Sequence, residues 1–248
     1  MNILVINLPN AVKRRTFQQE QLLSLGLDYQ ILNALSVNDI DNETYKKHYS
    51  DWQRPLHDTE VACYYSHRLA WNKIIETNQP TLILEDDALL SKCVPELLSF
   101  LEKRTEIDLI NLENRSRKKF VSKTAEPITC NSQLLKLYMD RTGAAGYILW
   151  PSGAKKLIQC EEKKGIALAD AHIVACHNIN ASQVEPSPII QLDTCQEYGI
   201  NNPYSENESD STVSSYNNPK GGLSFRIKRV LSQVRLGLKQ LKLITIKH

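Results

Sequence analysis

The sequence predicts an α/β fold in which a mostly parallel central sheet is flanked by helices. Three observations carry that reading: the first 35 residues run strand, helix, strand; the apolar segment Thr81–Leu84 ends abruptly in carboxylates; and strand-like and helix-like stretches keep alternating to about residue 200. Short strand–helix–strand units favour parallel pairing with right-handed crossovers, and a strand that is apolar throughout is one covered on both faces.

In chain order, "NILVINL" is an apolar run of strand length. A Pro-Asn loop follows, and then "AVKRRTFQQEQLLSLG", whose Val12, Phe17, Leu22 and Leu25 are roughly helical in spacing and whose Gly26 suits a helix C-cap. "DYQILNAL" reads as the second strand. A long helix is expected from about Glu60 to Glu76, capped by Asp58 or Thr59, with Glu60 in the first turn where the helix dipole favours an acid. Gln79-Pro80 stops it, and "TLILEDD" is a central strand whose acidic end lies at its C-terminus, the edge of an open α/β sheet where ligands bind. "EIDLINL", "SQLLKLYM" and "AAGYILW" read as further strands, and a helix starts near Pro151-Ser152 and runs to about Cys160.

The composition narrows the class. With 248 residues, 42% of them hydrophobic, the chain buries a full core without metal staples or disulfides. Its six cysteines form no CxxC pair, which points to a reducing compartment. "MNILVINLP" lacks the features of a signal peptide, and no 18-residue apolar run is present, so a soluble or peripheral protein is expected. Eight of the 30 Lys and Arg lie from Lys220 onward, together with none of the 28 Asp and Glu, so residues 1–219 carry 22 basic against 28 acidic side chains. An acidic body (1–200), a polar linker (201–222) and a basic tail (223–248) follow from this. In the tail, Ile227, Val230, Leu231, Val234, Leu238 and Leu241 fall within an arc of about 100° on a helical wheel, with basic residues around the rest. Such a helix suits an anionic membrane surface, or packing on the acidic body. Basic residues confined to an apolar-interleaved tail argue against nucleic acid.

The chemistry centres on Glu85, Asp86 and Asp87. Buried unpaired carboxylates are costly, so this charge needs a cation nearby. Oxygen ligands at a sheet edge suit Mg²⁺ or Mn²⁺, which bridges carboxylates to substrate phosphates. In a strand, side chains i and i+2 lie on one face, so Glu85 and Asp87 point toward one site and Asp86 points away. The duller reading has Asp86 and Asp87 capping the next turn.

"VINLPNAVKRR", "TEVACYYSHRLAWNKI", "LILEDDA", "TGAAGYILWPSGAKKLI" and "EPSPIIQ", in that order over about residues 1–195, resemble the bacterial lipooligosaccharide glycosyltransferases of glycosyltransferase family 25. That resemblance implies a single-domain GT-A fold, with "EDD" as its version of the metal-binding D-x-D motif. It also implies inverting transfer of a sugar, most often galactose from UDP-galactose, with Mn²⁺ or Mg²⁺. The acceptor would be a lipid-linked oligosaccharide, met at the cytoplasmic face of the inner membrane of a Gram-negative bacterium. By the same resemblance Asp87 would ligate the metal, and Glu85 would contact the ribose or a metal-bound water, with Asp86 in the donor site. Asn7, Leu8 and Pro9 would shape the base and ribose pocket, with Arg14 or Arg15 near the diphosphate. Ser66 and His67 would line the donor pocket, although His67 equally fits a hydrogen-bonded core histidine. Tyr64 and Tyr65 stand where the family more usually has small residues.

Inverting transfer needs a base for the acceptor hydroxyl. Asp170 in "LADAHIV" is the first candidate and Glu113, at the end of "DLINLE", the second; His172 is placed within reach of the metal or the diphosphate. Gly143 and Gly146 allow close backbone approach, either to the sugar or to a neighbouring strand. Gln191 would close the site, and Trp52 and Tyr147 would stack on sugars or sit in the core. Two rival readings are a metal-dependent nucleotidyltransferase, against which "NLPNAVKRR" lacks a glycine-rich phosphate loop, and a non-catalytic, membrane-tethered binding protein on the same fold.

Overall fold

Alternation along the first strand, β1 (Asn2–Asn7), sets the layers. Ile3 and Val5 enter one apolar cluster, with Leu82 and Leu84; Leu4 and Ile6 enter another, with Ile83. Successive strand residues face opposite sides of a sheet, so two cores form, one on each face. The computed structural model describes residues 1–115, 118–139, 143–204 and 242–245.

Helix α1 (Val12–Ser24) follows β1 and ends before Gly26, whose φ of +65° is the left-handed conformation expected of a C-terminal cap. After β2 (Gln30–Asn33) and α2 (Asn42–His48) comes α3 (Asp58–Thr77). Its cap is His57 rather than Asp58 or Thr59, because Glu60 reaches back to accept the His57 backbone N–H at 2.9 Å. β3 (Thr81–Glu85) and β4 (Ala88–Leu90) lead to α4 (Val94–Leu101). β5 (Leu109–Asn111), β6 (Lys118–Pro127), β7 (Gln133–Met139) and β8 (Gly146–Leu149) precede α5 (Pro151–Lys164) and α6 (Ala169–Ala175). β9 (Ala181–Glu185), β10 (Ile189–Gln191) and β11 (Lys242–Thr245) complete the strands.

Among the described residues nine strands form one sheet in the order β11-β6-β7-β9-β5-β8-β3-β1-β2, and β10 pairs with β4 separately. α3 and α5 supply the core of one face through Val61, Trp71, Ile74 and Leu157; α1 and α4 cover the other through Leu22, Leu97 and Leu101. The expectation of a mostly parallel sheet is corrected. Among the described strands of this sheet, β1–β2, β1–β3 and β5–β9 pair in parallel and the remaining pairs are antiparallel. The short connection between β6 and β7 permits only an antiparallel hairpin, and β8 enters between β3 and β5 running against both.

The tail helix over residues 223–241 lies outside the described residues, as does the linker beyond Tyr204. At 242–245 the helical reading is corrected, since these residues form an edge strand antiparallel to β6. Tyr204 packs edge-on against Phe17 of α1 at 6.1 Å, so the start of the expected linker is docked on the body. Among the described residues, no helix is long and apolar enough to cross a membrane.

Candidate active site

β3 stops at Glu85, and Asp86 and Asp87 form a turn before β4. The alternation that would put Glu85 and Asp87 on one face and turn Asp86 away therefore ends one residue too early. The turn instead gives each carboxylate its own surroundings. Glu85 Oε1 faces His67 Nε2 at 3.0 Å, and its Oε2 accepts from Gln191 Nε2 at 3.3 Å. Asp86 accepts from Asn7 Nδ2 at 2.8 Å and from Arg14 at 3.1 Å, so the cation demanded by the acidic run is, in part, Arg14. Asp87 receives neither: its Oδ1 is closed off from solvent and has no hydrogen-bond partner. Antiparallel pairing of Gln191 with Ala88, and of the Leu192 N–H with the Asp87 carbonyl at 2.9 Å, brings the C-terminal end of β10 onto the turn.

A buried chain of hydrogen bonds stands behind Glu85. Trp71 Nε1 donates to the Tyr147 hydroxyl at 2.8 Å, and that hydroxyl meets His67 Nδ1 at 3.0 Å. Indole N–H only donates, so Tyr147 accepts from Trp71 and is left to donate to His67; the histidine then carries its proton on Nε2 and presents it to Glu85. His67 is thus a core histidine and also a support for the acidic turn. Tyr147 is 1% exposed, which corrects its reading as a sugar platform.

The electrostatics are uneven across the turn. Burial raises the Asp86 carboxyl above the usual range, with Arg14 and Asn7 pulling the other way. Asp87 is pushed up to about 8, first by burial and then by Glu85 and Asp86. Burial lowers Arg14, but Asp86 and Asp87 outweigh it and the guanidinium stays charged. Asn7 Oδ1 and Gln191 Oε1 are, like Asp87 Oδ1, buried without partners. Asp87 Oδ1, Asn7 Oδ1 and Gln191 Oε1 are oxygen acceptors left without partners at the acidic turn, and oxygen is the ligand a hard cation takes, so the residues fit Mn²⁺ or Mg²⁺.

The other candidates divide. Asp170, at the start of α6, accepts the Gly143 N–H at 3.3 Å. It lies within electrostatic range of Cys63, as do Glu85 and Asp87. Glu113 is fully buried, accepts the Ala145 N–H at 2.6 Å, and its carbonyl takes a hydrogen bond from buried Lys119 at 3.0 Å. That correction removes it as a base, because an acceptor hydroxyl has no access to it. Gly143, at φ +86°, lies so close that a Cβ there would run into the Glu113 carboxylate, and a Cβ on Gly146 would meet Ile189 at 2.6 Å. Both glycines are thus explained by packing. His172 is also corrected as a metal ligand: it stacks on Trp71 at 5.7 Å, its Nε2 lies 3.1 Å from the Leu157 carbonyl, and burial lowers its pKa. Ser66 accepts the Leu35 N–H and donates to the Ala62 carbonyl, each at 2.8 Å, tying α3 to the segment after β2. Leu8 is half-buried and Pro9 exposed beside Asn7.

Sequence reasoning missed two participants. Gln18, fully buried on α1, donates to the carbonyls of Asp86 and Ala88 at 3.2 and 2.7 Å, clamping the turn from below. Cys63 lies one helical turn before His67, with its Sγ, a His67 ring nitrogen and a Glu85 oxygen all within 4.8 Å of one another. The i, i+4 spacing of Cys63 and His67 was the available signal.

Known proteins resemble this chain over the stretch that carries the acidic turn. A putative glycosyltransferase of Haemophilus influenzae is 28% identical over 170 residues, covering 66% of this chain and 59% of that one. The lipooligosaccharide biosynthesis protein lic2B of Haemophilus influenzae is 27% identical, covering 75% and 74%. The lacto-N-neotetraose biosynthesis glycosyltransferase LgtE of Neisseria meningitidis is 27% identical, covering 58% and 55%. The chain thus spans little more than half the length of two of these three relatives. Residues 1–173, which contain the acidic turn, Arg14, His67 and Asp170, match a single family over most of the chain: the protein belongs to glycosyltransferase family 25 (LPS biosynthesis protein).

Proposed function

We propose that the chain moves a hexose, galactose from UDP-galactose, onto a lipooligosaccharide acceptor, with inversion at the anomeric carbon and with Mn²⁺ or Mg²⁺, on a GT-A type fold. The carrying observation is Asp87, a carboxylate with a partnerless buried oxygen in the turn just past the C-terminal end of β3, next to Asp86, which Asn7 holds, and two residues after Glu85, which Gln191 holds. The relatives named for lipooligosaccharide and lacto-N-neotetraose biosynthesis support the acceptor class.

Asp87 and Glu85 would hold the ion, with the free oxygens of Asn7 and Gln191 at hand. When bound, the ion supplies positive charge against the departing diphosphate. Arg14 is held by Asp86 through one nitrogen, which fixes the guanidinium at the end of β1 and leaves its other N–H groups for phosphate oxygens. His67 and Gln191 each give Glu85 one hydrogen bond, so its carboxylate is oriented before substrate arrives. Asp170 takes the proton from the acceptor hydroxyl as that oxygen attacks the face opposite UDP. The basic tail would hold the enzyme at the cytoplasmic membrane face, where a lipid-linked acceptor is found.

A donor screen tests the proposal. Purified protein should release UDP from UDP-galactose in the presence of Mn²⁺ and acceptor, and EDTA should stop the release. Turnover undiminished by EDTA, or absent with every UDP-sugar tried, would refute it.

A further inference from the structure

Cys63, His67 and Glu85 bring three different ligand types to one point: a thiol, an imidazole and a carboxylate, each offering an atom within 4.8 Å of the others. Around a tetrahedral zinc ion such atoms stand about 3.3–3.7 Å apart, a contraction within reach of side-chain rotation. Two come from adjacent turns of α3 and the third from the end of β3, so the backbone that carries them is well anchored. A ligating histidine needs a partner for its second nitrogen, and His67 Nδ1 faces the Tyr147 hydroxyl, which donates to it in the metal-free protein and turns to accept from it once Nε2 takes the ion.

We propose that Cys63, His67 and Glu85 form a second cation site, selective for Zn²⁺, that overlaps the acidic turn through Glu85. Sulfur and imidazole favour a borderline-soft ion over Mg²⁺ or Mn²⁺, and three protein ligands leave the fourth position to water. On binding, the Cys63 thiol gives up its proton to solvent as the S–Zn bond forms, and the His67 ring proton passes from Nε2 to Nδ1, where the Tyr147 oxygen accepts it. Zinc bound through Glu85 then competes for that carboxylate with the ion at the acidic turn. The consequence that zinc antagonises sugar transfer rests on the metal-dependent reading above; the site itself does not.

Titration of the full-length protein with Co²⁺ as a zinc surrogate tests the site. One equivalent should produce a near-ultraviolet thiolate-to-cobalt band that Zn²⁺ abolishes and Mg²⁺ leaves unchanged. Cys63→Ser, which retains the other five cysteines, should lose the band, and Tyr147→Phe should weaken Zn²⁺ binding about tenfold or more. X-ray absorption of the zinc-loaded wild type needs no variant and should show one sulfur neighbour at about 2.3 Å. A band that survives in Cys63→Ser, or a first shell of nitrogen and oxygen alone, overturns the proposal. Neither readout involves sugar transfer, so an inactive preparation would still decide it.

Discussion

Asp87→Asn separates the demands of folding from those of the metal. In the metal-free protein the carboxyl is raised from 3.8 to about 8. An acid whose pKa is higher folded than unfolded stabilises the fold only while protonated. Its contribution is intact below about pH 4, declines as pH rises towards 8, and is constant above that. At pH 7 the unfolded chain has lost the proton and the folded chain keeps it, a cost on the order of 4 kcal/mol at most, from about 1.4 kcal/mol per pH unit. Water reaching the half-buried residue brings this nearer 2 kcal/mol. Asparagine has the same shape and no charge. In EDTA at pH 7 the variant should therefore melt above the wild type, by about 5 °C for a chain of this size, and the gap should close by pH 4. Saturating Mn²⁺ should reverse the order. It stabilises the wild type by about 2.7 kcal/mol at a hundred times its Kd, and leaves the variant, inactive in transfer, where it was. Thermal melts by circular dichroism at pH 4, 7 and 8, with EDTA and with Mn²⁺, give both comparisons. A variant that melts lower in EDTA, or Mn²⁺ shifts equal in both proteins, would refute the assignment of Asp87 as the ion's ligand.

Three other outcomes are expected. Asp170→Asn should lower turnover by about 10² to 10⁴ while calorimetric donor affinity stays level; lost donor binding would move Asp170 out of the base role. Gly143→Ala should cost at least about 1–2 kcal/mol in urea unfolding, because its φ of +86° is left-handed and the new methyl displaces the Glu113 carboxylate. Replacing Arg226, Lys228, Arg229 and Arg235 by Gln should remove flotation with anionic vesicles, at about 1 kcal/mol per charge, without changing transfer to a soluble acceptor. Unaltered flotation would leave the tail no electrostatic role at the membrane.

The layers were legible because period two is a local signal. Ile3, Leu4, Val5 and Ile6 divide between two cores in the way an apolar strand must, and α3 declares itself over five turns. Strand direction was not legible. β8 reads as any buried strand, and only its place between β3 and β5 makes it antiparallel. β4 and β10 are three residues each, too short for a periodic signal, yet their pairing carries Gln191 to the acidic turn across more than a hundred residues of chain.

The acidic run itself was legible as a site, and its internal division was not. Three adjacent carboxylates look equivalent in sequence, but the end of β3 at Glu85 sends them to three environments. Glu85 meets donors from α3 and β10, and Asp86 meets Asn7 and Arg14 from the first strand and helix. Arg14 answers the charge of Asp86, whereas the donors on Glu85 are neutral and orient its carboxylate without cancelling its charge. At Asp87 the backbone is pinned by Leu192, the carboxyl is raised by burial and then by Glu85 and Asp86, and Oδ1 has no donor. A chain that gives one of three adjacent carboxylates a cation, orients the second with neutral donors and leaves an oxygen of the third without any has kept negative charge there for something it binds. The charge-crowding argument locates the run, and the partner inventory selects Asp87 within it.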